Sequence, residues 1–265
     1  MTKKVHIEKF LAYKQREGMT PLTVTRHRYN LSYFLNYNRR RKILLSNVER
    51  FIDYYKDGHR PATVRSVVNT MKCFTRFLYE RGVIRKEIHT RLKNVKDEPF
   101  KPKLISPQLV RLIIDCPRVW SKYHSYIDRR RYDLFFELLS GCGLRCSETL
   151  NLKVSDFDFT NGEFTLLGKG SEIRTVPIPM VIVSNLLGWI NEKTLKPNDY
   201  IFAKERGGRR PSRMTFTSEL KKRLEILGLE RSIHLHTFRH VFITEAYRAG
   251  LDCMKVMKLV GPYES

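Results

Sequence analysis

Apolar residues recur at helical spacing through the first ninety residues of the chain. Residues 20–38 begin with Thr20 in an N-cap position, followed by Pro21, whose fixed φ suits the first residue of a helix. Residues 60–82 repeat this arrangement with Pro61. Their apolar positions form one helical face, made by Val64, Val67, Val68, Met71, Phe74, Phe77 and Leu78. The pattern predicts that this part of the chain is built from helices.

The helical pattern breaks between residues 92 and 107. Charged residues are dense there, and a continuous helix is prevented by Pro99, Pro102 and Pro107. A stretch of this kind is typical of a linker, so we predict two domains, residues 1–98 and 99–265. The length of 265 residues also favours two separate cores over one.

The second part of the chain mixes two periodicities. Residues 132–152 predict a buried helix, a glycine turn and a second helix, whereas residues 163–179 predict two strands around a turn at 168–171. Further helices are predicted within 184–192, 214–228, 236–250 and 252–261. The expected fold class is mainly α with a small antiparallel β-sheet.

The chain is strongly basic along its whole length. Lys and Arg number 50 against 27 Asp and Glu, a formal net charge of +23. The charge is shared between the predicted domains, with a net +14 in residues 1–98 and +9 in the remainder. A solvated helical surface would also be charged, but an excess of this size in both parts favours a nucleic acid as the partner.

Other features narrow the setting in which the protein works. No apolar run approaches the length of a membrane span, and the N-terminal sequence has no signal-peptide core. The cysteines are odd in number and scattered, which favours reduced thiols over a disulfide framework. We expect a cytoplasmic or nucleoid-associated protein without membrane contact, located in the host cell if its source is viral.

The segment HLHTFRHVF, residues 234–242, concentrates cationic and titratable groups in a few positions: His234, His236, Arg239 and His240. Three interpretations are open from these residues alone: a metal site, a satisfied structural cluster and a phosphate-binding site. A metal-dependent nuclease is disfavoured because no acidic cluster accompanies the basic set. No second cysteine pair accompanies Cys142 and Cys146, which disfavours a zinc site.

Three segments in a fixed order resemble the tyrosine recombinase (phage-integrase) family. They are GCGLRCSETLNL with Arg145, GKGSEIRTVPIP with Lys169, and HTFRH with His236 and Arg239. The resemblance covers most of residues 100–262. It implies a catalytic domain for 99–265 and, more weakly, a helical core-binding (SAM-like) DNA-binding domain for 1–98.

The resemblance also assigns chemistry to these side chains. Arg145 and Arg239 would hold the non-bridging oxygens of a DNA phosphodiester, because paired guanidinium hydrogen bonds stabilise the charge that develops there. Lys169 would protonate the leaving 5′ oxygen, and His236 would position or deprotonate the nucleophile. His240 is expected to be a supporting residue, and His234 to be peripheral.

Each of these residues also has an ordinary structural interpretation. Arg145 alone could cap a helix by pairing with Glu148, which we expect to be a structural residue in either case. Lys169 alone would be a hairpin-turn lysine. The other two, His236 and Arg239, could form an exposed i, i+3 pair on a helix. The order of the three motifs favours the catalytic set.

The sequence departs from the family at its end. Pro262 stands where the family has His or Trp, and proline cannot supply their hydrogen bond. The family's nucleophilic tyrosine would follow beyond Ser265, and Tyr263 lies at the wrong position for that role. We therefore expect a form without the nucleophile.

Two functions remain open. The first is a site-specific recombinase or integrase of a mobile element, which cuts and rejoins DNA through a phosphotyrosine intermediate. The second is a catalytically inactive DNA-binding protein of the same fold, a regulator or accessory factor. Both imply double-stranded DNA as the partner, no cofactor and no metal, and self-association on DNA, since the family works as a tetramer.

Overall fold

The computed structural model describes most of the chain, namely residues 3–39, 42–96, 105–116, 126–167, 173–205 and 207–261. The chain divides into two compact units, Met1–Lys101 and Pro102–Ser265. The domain boundary predicted between residues 98 and 99 lies outside the described residues.

The first unit is helical, as its periodicity predicts. Its helices are α1 (Lys3–Arg16), α2 (Pro21–Tyr37), α3 (Leu45–Lys56), α4 (Pro61–Glu80) and α5 (Ile88–Arg91). The predicted start of α2 is confirmed, since the hydroxyl of Thr20 accepts a hydrogen bond from the Thr23 amide at 3.3 Å. All seven apolar positions predicted to share one face of α4 are buried in the core of this unit.

The second unit combines helices with a small sheet. Its elements in chain order are α6 (Pro107–Ile114), α7 (Tyr126–Gly141), α8 (Cys146–Asn151), β1 (Phe157–Asp158), β2 (Glu163–Leu167), β3 (Ile173–Pro177), α9 (Met180–Lys193), α10 (Arg213–Ile226), α11 (Leu235–Arg248) and α12 (Cys253–Val260). The predicted fold class, mainly α with a small antiparallel sheet, is confirmed.

The sheet has three strands in the order β1-β2-β3, all antiparallel. Thr165 lies opposite Thr175, so β2 and β3 form the predicted pair, whose connecting turn at 168–171 is outside the described residues. The first strand was not predicted, because its two residues are too few to show an alternating pattern.

The last residue of the predicted linker, Pro107, begins α6. Its missing amide hydrogen would have had no partner at this position in any case. The Ser106 hydroxyl caps this helix by accepting a hydrogen bond from the Leu109 amide at 3.1 Å. Proline interrupts a helix interior but favours a helix start, so Pro107 both prevents a continuous helix through the linker and starts the next one.

The core of the second unit contains stacked aromatic rings among aliphatic side chains. Phe135 stacks on Phe216 with ring centroids 3.8 Å apart, which joins α7 to α10. Phe136 stacks on Phe238 at 5.4 Å, which joins α7 to α11. These contacts fix the first turn of α11, which carries the predicted His236 and Arg239.

One charged side chain lies fully inside this core. Arg223 has no exposed side-chain surface and contacts Asp133 at 2.7 Å and Glu219 at 3.0 Å. Its guanidinium also donates to the carbonyls of Ile113 and Ile114, at 3.3 and 2.7 Å. Because those carbonyls belong to the end of α6, the buried arginine fixes this helix to α10 and α7.

Replacing Arg223 with methionine should destabilise the second unit by about 3–5 kcal/mol, the usual result of leaving a buried partner charge uncompensated. The uncompensated group would be Glu219, whose side chain is 1% exposed. Urea denaturation of the full chain measures the change.

The matched control is Arg111→Met, which breaks an exposed ion pair with Asp115 and should change stability by no more than about 0.5 kcal/mol. Adding Glu219→Leu to Arg223→Met should restore part of the loss. Equal effects of Arg223→Met and Arg111→Met would show that the buried network does not stabilise the fold.

Candidate active site

A cleft of about 360 Å³ opens in the second unit where α8, α10 and α11 begin. The described residues that line it include four arginines and no carboxylate: Arg145, Cys146, Ser147, Leu150, Arg210, Arg213, His236 and Arg239. A lining of this charge suits an anion, since each guanidinium offers fixed, always-charged hydrogen-bond donors.

Arg239 is held almost entirely inside the protein. Its side chain is 3% exposed, and its guanidinium donates to the Gly143 carbonyl at 2.6 Å and to the Val260 carbonyl at 2.7 Å. The alternative that His236 and Arg239 form an exposed pair is therefore wrong for Arg239. Its orientation is set by main-chain acceptors before any ligand binds.

Gly143 occupies a position that only glycine fits. Its φ of +63° lies in the left-handed region, and a Cβ there would lie 2.3 Å from the ring of Phe242. The glycine thus allows the main chain before α8 to approach α11 closely enough for its carbonyl to reach Arg239.

Arg145 is the N-cap residue of α8 and also lines the cleft. Its amide donates to Glu148 at 2.8 Å, and its guanidinium pairs with the same carboxylate at 2.9 Å. A longer contact of 3.4 Å reaches the Val260 carbonyl. The helix-capping interpretation of Arg145 is therefore correct, and it coexists with a place in the cleft.

Glu148 is shared between two arginines. Besides Arg145, it accepts a hydrogen bond from Arg174 of β3 at 2.8 Å. Burial alone raises the pKa of Glu148, but hydrogen bonds from Arg174 and Arg145 outweigh burial and leave the pKa below its usual value. Glu148 is thus an ionised partner of Arg145, in keeping with the structural role predicted for it.

His236 lies at the exposed side of the cleft, with its ring centroid 4.5 Å from that of His240. Partial burial lowers the pKa of His236, and repulsion from His240, Arg239, Arg145 and Arg213 lowers it further. The ring is therefore neutral at pH 7 in the ligand-free protein.

The other two histidines of the segment lie at different distances from the cleft. His240 is half-buried against His236, consistent with the supporting place predicted for it. His234 is exposed at the start of α11, where its amide donates to the Thr237 hydroxyl at 3.0 Å. It does not contribute to the described lining of the cleft, in line with its predicted peripheral position.

Three of the four predicted catalytic residues meet in this cleft, namely Arg145, His236 and Arg239. The fourth, Lys169, lies outside the described residues, as do Pro262 and Tyr263. No group of three His, Cys, Asp or Glu side chains within the described ranges could hold a metal ion. No helix in the described part of the chain is long and apolar enough to cross a membrane.

Sequence reasoning missed three arginines at or beside the cleft. Arg210 and Arg213 line it from the start of α10, and the basic run GGRRPSR ahead of a predicted helix could have indicated them. Arg174 lies on the same inward face of β3 as buried Val176. Because side chains alternate between the two faces of a strand, an arginine two residues before a buried valine could have indicated a buried cation.

The chain is similar in sequence to a known protein family and to several of its members. A profile described as the phage integrase family matches residues 115–262. The tyrosine recombinase XerC of Shewanella amazonensis is 26% identical over 262 residues, covering 96% of this chain and 86% of the relative. XerA of Pyrococcus furiosus is 28% identical over 262 residues, covering 96% and 84%.

Solved structures confirm the fold. A lambda integrase dimer bound to a core site superposes with a TM-score of 0.79 at 14% identity, covering 100% of this chain and 96% of that one. The XerH recombinase in a post-cleavage DNA complex has a TM-score of 0.77 at 21% identity, covering 92% and 74%. Because the family profile spans more than half of the sequence, the chain belongs to the phage integrase family of tyrosine recombinases.

Proposed function

We propose that this protein is a site-specific DNA recombinase whose cleft holds the phosphodiester that is cut and rejoined. The observation that carries the proposal is the convergence of Arg145, His236 and Arg239 on one cationic cleft. Family membership supports the reaction class, and the net charge of +23 supports DNA as the substrate.

We propose the division of roles that the resemblance to the family implies. Arg145 and Arg239 neutralise the negative charge that builds on the non-bridging oxygens as a nucleophile attacks phosphorus. His236, neutral at the cleft edge, accepts a proton from the attacking tyrosine hydroxyl or bonds the phosphate. Lys169 gives a proton to the departing 5′ oxygen. In the family reaction the oxygen of the attacking tyrosine becomes bonded to the 3′ phosphate as the bond to the 5′ oxygen breaks, and rejoining reverses each step.

DNA binding rests on both units of the chain. Each is basic, so we propose that both contact the phosphates of duplex DNA, with an affinity that falls steeply with salt. We also propose self-association on DNA, because a lambda integrase structure is described as a tetramer on a Holliday junction. The core-binding role proposed for residues 1–98 is part of the same DNA binding.

One residue favours the alternative of an inactive DNA-binding protein. Pro262 lacks the ring donor that the family's His or Trp supplies at that position. The tyrosine that attacks in the family has no counterpart among the described residues. A test must therefore measure cleavage of a phosphodiester bound in the cleft without requiring a tyrosine of this chain as the nucleophile.

A small external nucleophile provides such a test. A duplex site would first be selected from a randomised pool and then incubated with the protein and hydrogen peroxide, whose anion can attack phosphorus. A recombinase cleft should promote a nick at one phosphodiester, resolved on a denaturing gel. Arg145→Ala should slow this nick by about 10²–10³-fold, the usual effect of losing one charge-stabilising donor.

The control is Arg209→Ala, which removes an exposed arginine outside the described lining of the cleft and should leave nicking nearly unchanged. Tight DNA binding with no position-specific nick would reject the enzymatic proposal in favour of the DNA-binding alternative.

The titration of His236 should report an anion in the cleft. Burial and neighbouring charges lower its pKa without ligand, and sulfate beside the ring should raise it, because a nearby negative charge stabilises the imidazolium. By linkage, sulfate affinity should increase as pH falls through this pKa. Imidazole NMR measures both effects. A His236 titration that sulfate leaves unmoved would place the anion elsewhere.

Glu148→Gln should separate binding from chemistry. Removing a carboxylate 2.9 Å from Arg145 takes away a competing negative charge, so sulfate should bind more tightly. The peroxide-dependent nick should nevertheless become slower, because Arg145 is no longer held at a fixed angle. Glu192→Gln makes the same charge change at an ion pair with Arg130, and it should alter neither the sulfate affinity nor the nicking rate. Faster nicking in Glu148→Gln would show that its carboxylate only opposes the reaction.

A further inference from the structure

Arg174 is not part of the described lining of the cleft, yet it contacts α8, which begins at the cleft, and the end of α12. The residue belongs to β3, and its side chain is 11% exposed. Its guanidinium bonds Glu148 of α8 at 2.8 Å and the Leu259 carbonyl near the end of α12 at 3.2 Å. One side chain therefore joins a strand, the helix that carries Arg145, and the last turn of α12.

The end of α12 is packed tightly against the same guanidinium. Gly261 follows this helix with a φ of +75°, and a Cβ there would lie 2.8 Å from an Nη of Arg174 and 3.2 Å from an Nη of Arg145. The neighbouring Val260 carbonyl accepts from Arg145 and Arg239. Three cations thus converge on the carbonyl end of one helix, where the helix dipole is negative.

The charges around Glu148 explain why a third arginine is needed. A single carboxylate paired with Arg145 alone would fix that guanidinium but would also cancel the charge available to a phosphate. With Arg174 bonded to the same carboxylate, the group of two arginines and one glutamate keeps a net positive charge. Arg145 is then both held in place and still cationic toward the cleft.

We propose that Arg174 is a positioning residue, which compensates the charge of Glu148 so that this carboxylate can orient Arg145, and which ties the end of α12 to the same pair. The inference rests on the proposed phosphate-binding function of the cleft. Arg174 acts through Glu148 and the main chain, and it need not touch the substrate.

The first test is a sulfate titration of the full chain, followed through the His236 imidazole signals. Arg174→Met should weaken sulfate binding by about tenfold, because the uncompensated carboxylate of Glu148 would then offset the charge of Arg145. The matched control is Arg130→Met, which removes the same charge from another ion pair between elements and should change the affinity by less than about twofold.

A second substitution separates positioning from a general structural effect. If Arg174 acts by compensating Glu148, adding Glu148→Gln to Arg174→Met should return sulfate affinity to within about threefold of wild type, since the uncompensated charge is gone. A general loss of packing would not be repaired in this way. Affinity in Arg174→Met equal to that in Arg130→Met, or no recovery in the double variant, would overturn the proposal.

Amide exchange at Val260 and Gly261 tests the contact with α12 without any ligand. Arg174→Met should speed exchange there, and Arg130→Met should not. Arg174→Lys keeps the charge beside Glu148 but cannot span both partners, so it should preserve sulfate affinity and still speed exchange. Unchanged exchange in Arg174→Met would overturn this part of the inference.

Different results would contradict the phosphate-binding function of the cleft and the positioning role of Arg174. If sulfate left the titration of His236 in the wild-type protein unchanged, the phosphate-binding function would be contradicted. Amide exchange would still decide whether Arg174 holds the end of α12. A wild-type protein that binds sulfate as expected, with Arg174→Met no weaker than Arg130→Met, would leave the proposed function standing and reject the role of Arg174.

Discussion

Repulsion between neighbouring guanidinium groups is the constraint around which the cleft is built. Arg145, Arg174 and Arg239 converge on the end of α12, and like charges at such distances destabilise a fold unless acceptors lie between them. Glu148 supplies one negative charge, and the carbonyls of Gly143, Leu259 and Val260 supply the other acceptors. Since main-chain carbonyls are dipoles without net charge, the cleft remains cationic while each donor stays oriented.

The surrounding fold serves this arrangement by bringing element ends together. The stacked pairs Phe135–Phe216 and Phe136–Phe238 hold α10 and α11 against α7, so the first turns of α10 and α11 face the start of α8. The sheet contributes through β3, whose inward face carries a cation among apolar neighbours. Rigid helices and a strand therefore position the cationic groups, as preorganised charge stabilisation requires.

Local signals in the sequence predicted most of the helices, and motif order predicted three of the cleft residues. Thr20 with Pro21 marks a helix start wherever it occurs, because capping depends on neighbours in the chain. The start of α6 at Pro107 was not predicted, because proline prevents a continuous helix through the preceding residues and also favours the first position of a helix. Arg174 was missed because its partners, Glu148 and Leu259, lie 26 and 85 residues away in sequence. A local sequence pattern does not show contacts between residues so far apart in the chain. It also does not show which main-chain carbonyls act as acceptors, because every residue type carries one.

The use of main-chain acceptors has a consequence for how the protein can diverge. A carbonyl is present whatever side chain its residue carries, so the positions of Leu259 and Val260 can change without removing an acceptor from Arg174 or Arg239. Gly143 and Gly261 are restricted by backbone angle and by close contact with neighbouring side chains, and Val260 is restricted to an apolar side chain by its burial. Relatives can therefore vary the surface of α12, where Met254 and Met257 are exposed, while the cationic cleft beneath keeps its geometry.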